Sequence, residues 1–206
     1  MVEEVELKLG LENPSDLRVL LAILPSPEAE VVQHNHYYAD AAGGLQGKRI
    51  MVRIREEKAA AGCGEPDRVL LTVKERTARV NGVFSAQEHE TTIDAAVWAE
   101  VRSGQRELST LELAPLLWLQ EQGGAGPLLH QGSLMNRRHR VSYRGYTLEI
   151  DETTFDDDSV DVEIEVETRA VEDVRAALTA LCEENGITIF SQTRGKYARF
   201  LSRRSG

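Results

Sequence analysis

Val2-Glu3-Glu4-Val5-Glu6-Leu7-Lys8-Leu9 sets apolar Val5, Leu7 and Leu9 against charged Glu4, Glu6 and Lys8 in strict alternation. Successive side chains of a strand point to opposite faces, so this stretch predicts a strand with one apolar and one ionised face. The pattern returns along the chain. Ile50, Val52 and Ile54 alternate with Met51, Arg53 and Arg55, and Leu71 and Val73 alternate with Thr72, Lys74 and Arg76. Residues 84–92 hold Glu88 and Glu90 in the same register. Further strands are predicted at 31–38, 137–143, 146–151 and 160–167, the pair around Arg144-Gly145 joined by a turn. Their polar faces read Arg138/Arg140, Glu149/Asp151 and Glu163/Glu165/Glu167.

Between these strands lie fewer helical signals. Asn13-Pro14 opens a helix with Leu17, Leu20, Leu21 and Leu24 as its stripe, and Pro25 and Pro27 end it. Two helices are predicted in 93–122, separated by Ser103-Gly104, before a linker at Gly123–Pro127. Val174, Leu178 and Leu181 mark a helix over 171–184 that closes at Asn185-Gly186. The Gly-rich stretch 43–47 reads as a turn, 59–67 as a loop and 194–204 as a basic tail. Many strands, few helices and no regular strand–helix alternation predict an α+β fold with a largely antiparallel sheet.

The chain has 206 residues and a net charge of −10, with 41% hydrophobic and 28% charged residues. These values exclude a disordered chain and a membrane-embedded one, and the length suits one medium-sized domain or at most two small ones; the expectation is a single domain over 1–206 with a helical insertion at 93–127. No apolar run approaches the ~18–20 residues of a spanning helix, and the start lacks signal-peptide regions. Two cysteines, Cys63 and Cys182, provide no disulfide framework or zinc spacing, so the reading is a reduced, cytoplasmic, soluble protein, and a monomer is expected. The acidic balance argues against generic coating of nucleic acid and leaves a local basic pocket open, and no membrane partner is expected.

Individually, each ionised face reads as the wet side of a half-exposed sheet. As a set they are segregated by strand into acidic and basic groups. Two like charges on one strand face repel unless opposite charge lies close by. The alternative is a closed barrel with the ionised faces turned inward, lining a water-filled tunnel and leaving no sheet edge. Carboxylates opposite Arg and Lys suit one ligand class: hard oxygen ligands hold Mg²⁺ or Mn²⁺, while guanidinium and ammonium groups hold phosphate oxygens.

Glu4-Val5-Glu6-Leu7-Lys8 matches the Glu-x-Glu-x-Lys signature of the CYTH superfamily, the triphosphate tunnel metalloenzymes. The order of the later pieces strengthens the match: Arg53-Ile54-Arg55, Leu70–Arg76, Glu88-His89-Glu90, Arg138, Asp151, Glu163-Ile164-Glu165 and Lys196 within Gly-Lys-Tyr-Ala-Arg-Phe. The chain resembles plant and algal members and thiamine triphosphatase-like proteins most closely. The resemblance implies a closed eight-stranded antiparallel β-barrel that cuts a triphosphate with one or two Mg²⁺ or Mn²⁺ ions. Carried over by position, Glu4, Glu6, Asp151, Glu163 and Glu165 are the metal ligands. Arg53, Arg55, Lys74, Arg138 and Lys196 grip phosphates, and Lys8 lies beside the reacting phosphoryl group. Glu88 and Glu90 orient the basic residues or help position a second metal. Arg76, Arg140, Glu149 and Glu167 are left outside this set.

His34 and His36 are read as strand-surface or tunnel-rim residues, Trp98 and Trp118 as core, Cys182 as packed, and Arg203 and Arg204 as solvated. No His-Phe pair precedes Glu4, which counts against a class IV adenylyl cyclase. Aromatics amount to only 5% of the chain, so inorganic tripolyphosphate is the expected small-molecule substrate. Thiamine triphosphate, nucleoside triphosphates and a non-catalytic polyphosphate-binding module stay open.

Overall fold

Among the residues described by the computed structural model (2–59, 67–124 and 126–204, with the side chains of 2–4 excluded), nine strands form one antiparallel sheet. They are β1 (Val2–Leu11), β2 (Ala29–Asp40), β3 (Ile50–Ala59), β4 (Arg68–Val80), β5 (Val83–Ile93), β6 (Leu128–Tyr143), β7 (Tyr146–Thr154), β8 (Val160–Glu167) and β9 (Ile189–Ser191). The order is β5-β4-β3-β2-β6-β7-β8-β1, and β1 pairs back onto β5, so the first eight close into a barrel. The short β9 attaches to Leu9–Leu11 of β1, beyond the stretch that pairs with β5. Helices α1 (Leu17–Ile23), α2 (Gly44–Gly47), α3 (Ala95–Arg102), α4 (Ala114–Glu121), α5 (Val171–Glu184) and α6 (Lys196–Arg204) flank it.

Closure follows from the alternation. With the ionised faces turned inward, the apolar faces form the outer wall, and helices must cover them. Leu20 of α1 and Leu178 and Cys182 of α5 pack with Leu7, Leu148 and Ile164, all at or near zero exposure. On the opposite side Val52, Ile54, Leu71 and Val73 lie under Trp98, Leu116 and Leu119 of the 93–127 segment. Each such side chain contributes about 1.5–3 kcal/mol by leaving water. Trp118 is partly buried against the same cluster.

Two hairpins set the barrel's registers. Asn81-Gly82 and Arg144-Gly145 both take left-handed backbone angles at each central residue, the geometry that matches strand twist. Gly82 also touches β1: a Cβ there would lie 2.7 Å from the Lys8 carbonyl oxygen, and the Lys8 amide donates to the Gly82 carbonyl. The Lys8 backbone is therefore held by the hairpin on one side and by Gln192, whose amide donates to the Lys8 carbonyl, on the other.

Several elements differ from the sequence expectation. β6 begins at Leu128, well before 137, because its first half pairs with Gln33–Asp40 of β2 through a bulge; Leu-Leu-His-Gln-Gly-Ser carries no alternation to announce it. The 43–47 turn is one helical turn, with Asp40 accepting from the Gly44 and Leu45 amides. The basic tail is helix α6, and Phe200 packs with Tyr37, Leu134 and Phe155. Arg203 is not free in solvent: it donates to Ser159 and Asp161 and lies 3.9 Å from the Phe155 ring centre. Arg204 approaches Asp156 at 3.6 Å. The loop expected at 59–67, with Cys63, falls on 60–66 and lies outside the described residues.

Candidate active site

Pairing across strands decides which inward side chains meet. Around the ring, β5, β1, β8 and β7 contribute carboxylates, β6 contributes Arg138, β2 contributes neutral Gln33, Asn35 and Tyr37, and β3 and β4 contribute cations. The charges thus occupy two arcs facing one cavity of about 520 Å³. Its wall includes Glu6, Lys8, Arg53, Arg55, Lys74, Glu88, Glu90, Arg138, Glu165 and Lys196. Asp151 and Glu163 are fully buried beside them. The Glu4 backbone pairs opposite Ala86, but its side chain lies outside the described residues.

The acidic arc is densest at Asp151, Glu163 and Glu165, where one oxygen from each lies within 4.8 Å of the others. Alternation accounts for it: Asp151 sits directly opposite Glu163, and Glu165 is two residues further along the same face. Such proximity requires cations. Lys8 bonds Glu165 and lies 2.8 Å from Glu6. Lys196, at the start of α6, reaches Asp151 and Glu165 at 2.7 Å each and also pairs with Glu163. Arg138 makes a fork to Asp151 (2.8 and 2.6 Å), reaches Glu165 at 2.8 Å and bonds Glu149. Arg199 donates to Glu163 at 3.0 Å.

For Asp151, Glu165 and Lys8 burial raises the cost of the charge, yet the partners win. Burial lifts the Asp151 carboxyl, but Arg138 and Lys196 hold it well below the usual range. Burial acts likewise on Glu165, and Lys196, Lys8 and Arg138 depress it. Burial disfavours the Lys8 ammonium, while Glu165, Glu6 and Glu163 raise its pKa above the ordinary lysine value.

The basic arc is differently built. Arg55 is buried, and burial with Arg53 and Arg138 nearby pushes its pKa down to about 10, so it remains cationic at neutral pH. It donates to Asn35 at 2.9 Å. Lys74 pairs with Glu88 at 3.0 Å, while Glu90 accepts from Thr72 at 2.8 Å and lies 3.9 Å from Arg53. Glu88 and Glu90 therefore lie beside Lys74 and Arg53.

The expected residues do meet, with two qualifications. Lys8, Arg138 and Lys196 lie among the carboxylates, whereas Arg53, Arg55 and Lys74 form the opposite arc. Of the residues left outside the set, Glu149 bonds Arg138 and lines the cavity, and Arg76 and Glu167 line it too; Arg140 does not. His36 faces the barrel exterior, 5.1 Å from the Trp98 ring and bonded to Glu56. The sequence reading also missed a neutral layer: Asn136 donates to Gln33 and Asp151 and accepts from Thr153. Its signal was Asn136 sharing a face with Arg138, and Gln33 and Asn35 sharing one with Tyr37.

Glu57, at one end of the inward row of β3, allows a pH test. It accepts from Gln33 at 2.8 Å and Arg68 at 2.5 Å. Burial raises its carboxyl, but Arg55, Arg68 and Gln33 hold the net value below the ordinary 4.5. A depressed carboxyl contributes stability above its unfolded pKa and loses it as pH falls through the folded one. Glu57→Gln is expected to cost about 1.5–3 kcal/mol at pH 7. Urea unfolding should show that cost shrinking below the ordinary carboxylate range; a pH-independent difference would contradict an ionised Glu57.

No described helix is long and apolar enough to cross a membrane. Comparison with curated proteins finds no match. Among solved structures, HpAC1 of Hippeastrum, described as a candidate adenylyl cyclase with a dominant triphosphatase activity, shares 27% identity. The alignment covers 97% of this chain and 96% of that one, with a TM-score of 0.86. A candidate adenylate cyclase of Bacillus halodurans shares 20% identity over 97% and 99% of the two chains (TM-score 0.72). PH1819 of Pyrococcus horikoshii shares 18% over 98% and 99% (TM-score 0.61), a likeness of fold alone. The model of the CYTH domain matches residues 3–196, and the chain belongs to that family.

Proposed function

We propose that this chain is a metal-dependent triphosphatase that hydrolyses inorganic tripolyphosphate to pyrophosphate and phosphate, as one unit over 1–206 with 93–127 inserted. The observation that carries this reading is the pair of opposed charge arcs around one cavity, with three clustered carboxylates on one side. The likeness to HpAC1, described with a dominant triphosphatase activity, supports it.

Arg53, Arg55 and Lys74 donate to phosphate oxygens from one arc. Asp151, Glu163 and Glu165, with Glu4 and Glu6, offer hard oxygen donors that fit Mg²⁺ or Mn²⁺. A divalent ion held there would neutralise charge on the phosphate oxygens. Lys8, Arg138 and Lys196, set among the carboxylates, stabilise charge as the P–O bond loosens. A water oxygen attacks the terminal phosphorus in line, the bridging P–O bond breaks, pyrophosphate leaves, and a carboxylate of the acidic arc takes the proton. The monomeric, cytoplasmic state belongs to the same proposal.

A nucleoside triphosphate is the second reading, favoured by Tyr37 and Tyr197, whose rings lie 4.8 Å apart at the cavity wall. The test is phosphate release from tripolyphosphate, ATP, thiamine triphosphate and pyrophosphate, each with Mg²⁺ and Mn²⁺. Tripolyphosphate should be turned over fastest; absence of release from any triphosphate, with tight binding, would replace the enzyme by a binding module. Arg53→Ala should raise the KM for tripolyphosphate roughly 10- to 100-fold, the loss of a charge-assisted contact, with metal half-saturation unchanged. An unaltered KM would remove Arg53 from the substrate path.

A further inference from the structure

The basic arc does not end at Lys74. Along β4 the inward row continues to Arg76, one alternation step or ~7 Å further toward the barrel mouth. A bulge then adds a residue between Arg76 and Ala78. Its effect is specific. Arg79 stands opposite Phe84, and Arg76 opposite Ala86, both of which line the cavity. Without the bulge, Arg79 would share a face with outward Glu75; with it, Arg79 takes the register of Arg76 and stands exposed at the strand end, just beyond the residues that line the cavity.

A third arginine arrives from the neighbouring strand by a second irregularity. Arg49, which lines the cavity, follows α2 and has φ of 61°, the left-handed region that helix ends usually assign to Gly or Asn. Its carbonyl accepts the Arg76 amide at 3.2 Å, which ties the two residues together. Such backbone outliers concentrate where side-chain placement matters. Among the described residues, no ion pair joins Arg49, Arg76 or Arg79 to a carboxylate. Burial lowers the pKa of Arg76, and the charges of Arg79 and Arg49 lower it further. A chain of net charge −10 thus gathers at one mouth three guanidinium groups that pair with no carboxylate among the described residues, an arrangement that suits an external polyanion.

We propose that Arg49, Arg76 and Arg79 form a site for the phosphates of linear polyphosphate chains longer than tripolyphosphate, held at the mouth while Arg53, Arg55 and Lys74 hold the inner phosphates. This rests on the triphosphate reading of the cavity. It adds chain length to the specificity, and it assigns the mouth to an anion where a nucleobase is the competing occupant.

The test uses the full chain and the triple variant Arg49→Asn, Arg76→Gln, Arg79→Gln; Asn suits the left-handed backbone. Calorimetry without metal, at fixed salt, measures binding of tripolyphosphate, medium-chain linear polyphosphate and ATP. The variant should bind polyphosphate at least ~10-fold more weakly, with tripolyphosphate and ATP each changed less than about 2-fold. Equal losses for all three ligands would overturn the site in favour of a general anion funnel. A loss for ATP matching that for polyphosphate would overturn it in favour of a nucleotide subsite, and unchanged affinities would dismiss it. Phosphate release from tripolyphosphate by the unmodified chain is measured in parallel. Its absence would fail the triphosphatase reading and leave the binding comparison intact.

Discussion

Glu165→Gln is expected to reduce the proposed metal-dependent tripolyphosphate hydrolysis by ~10²-fold or more, in the range seen when one preorganised electrostatic group is removed. Glu165 is where the two kinds of contact in the cavity converge. It belongs to the three-carboxylate cluster, and it also meets Lys8, Lys196 and Arg138. Gln keeps the volume, so the barrel wall retains its packing. It removes the negative charge and sets an amide beside three cations that have lost their common partner. Both the proposed metal site and the positions of Lys8 and Lys196 should suffer. Metal half-saturation should therefore rise along with the fall in kcat, which distinguishes this effect from a simple loss of folded protein. Circular dichroism on the same sample checks the fold. Activity within about 3-fold of the parent at saturating Mg²⁺ or Mn²⁺ would take Glu165 out of the site.

The largest effect on stability should come from Arg138→Met. Arg138 is 8% exposed and bonds Glu149, Asp151 and Glu165, while Asp151 is wholly buried. Breaking one side of a buried ion pair typically costs about 3–5 kcal/mol, because the remaining charge is stranded. The pH dependence follows from the same contacts. In the parent, the depressed Asp151 carboxyl contributes stability above the ordinary 3.8, lost as pH falls through its folded value. Without Arg138, burial acts more strongly on that carboxyl, and its pKa moves up. The variant then gains a proton on folding over a range where the parent does not, so the stability gap should narrow as pH is lowered from 7 to 5. Urea titrations at both values measure it. Adding Asp151→Asn should recover part of the loss, a coupling that a double-mutant cycle reads directly. A gap that widens on acidification, or additive losses in the double variant, would mean that Arg138 and Asp151 are not coupled as the fork implies.

Legibility in the sequence followed the range of the interactions. Alternation in 2–9, 50–55 and 71–76 marked strands and sorted their faces, since that property is local. The helix over 171–184 was legible end to end for the same reason. The first half of β6 was not, because its pairing with β2 is its cause and no periodicity in Leu128–Ser133 betrays it. Glu149 read as a supporting charge until pairing with Arg138 placed it in the network. Asn136 carries no charge to mark it in the sequence, although its amide bridges Gln33 and Asp151. Arg203 read as solvated because its partners, Ser159 and Asp161, lie more than forty residues away.

The sequence by itself determined that this protein has strands with apolar and ionised sides, and that acid and base are sorted onto different strands. It did so because the two-residue repeat of an extended chain binds side-chain direction to position. Only the tertiary structure decided that β5 closes onto β1, that the two arcs of charge face each other, and that Lys8, Arg138 and Lys196 fall on the acidic side. Those outcomes depend on strand order, register and bulges, which are set by hydrogen bonds between segments far apart in the chain.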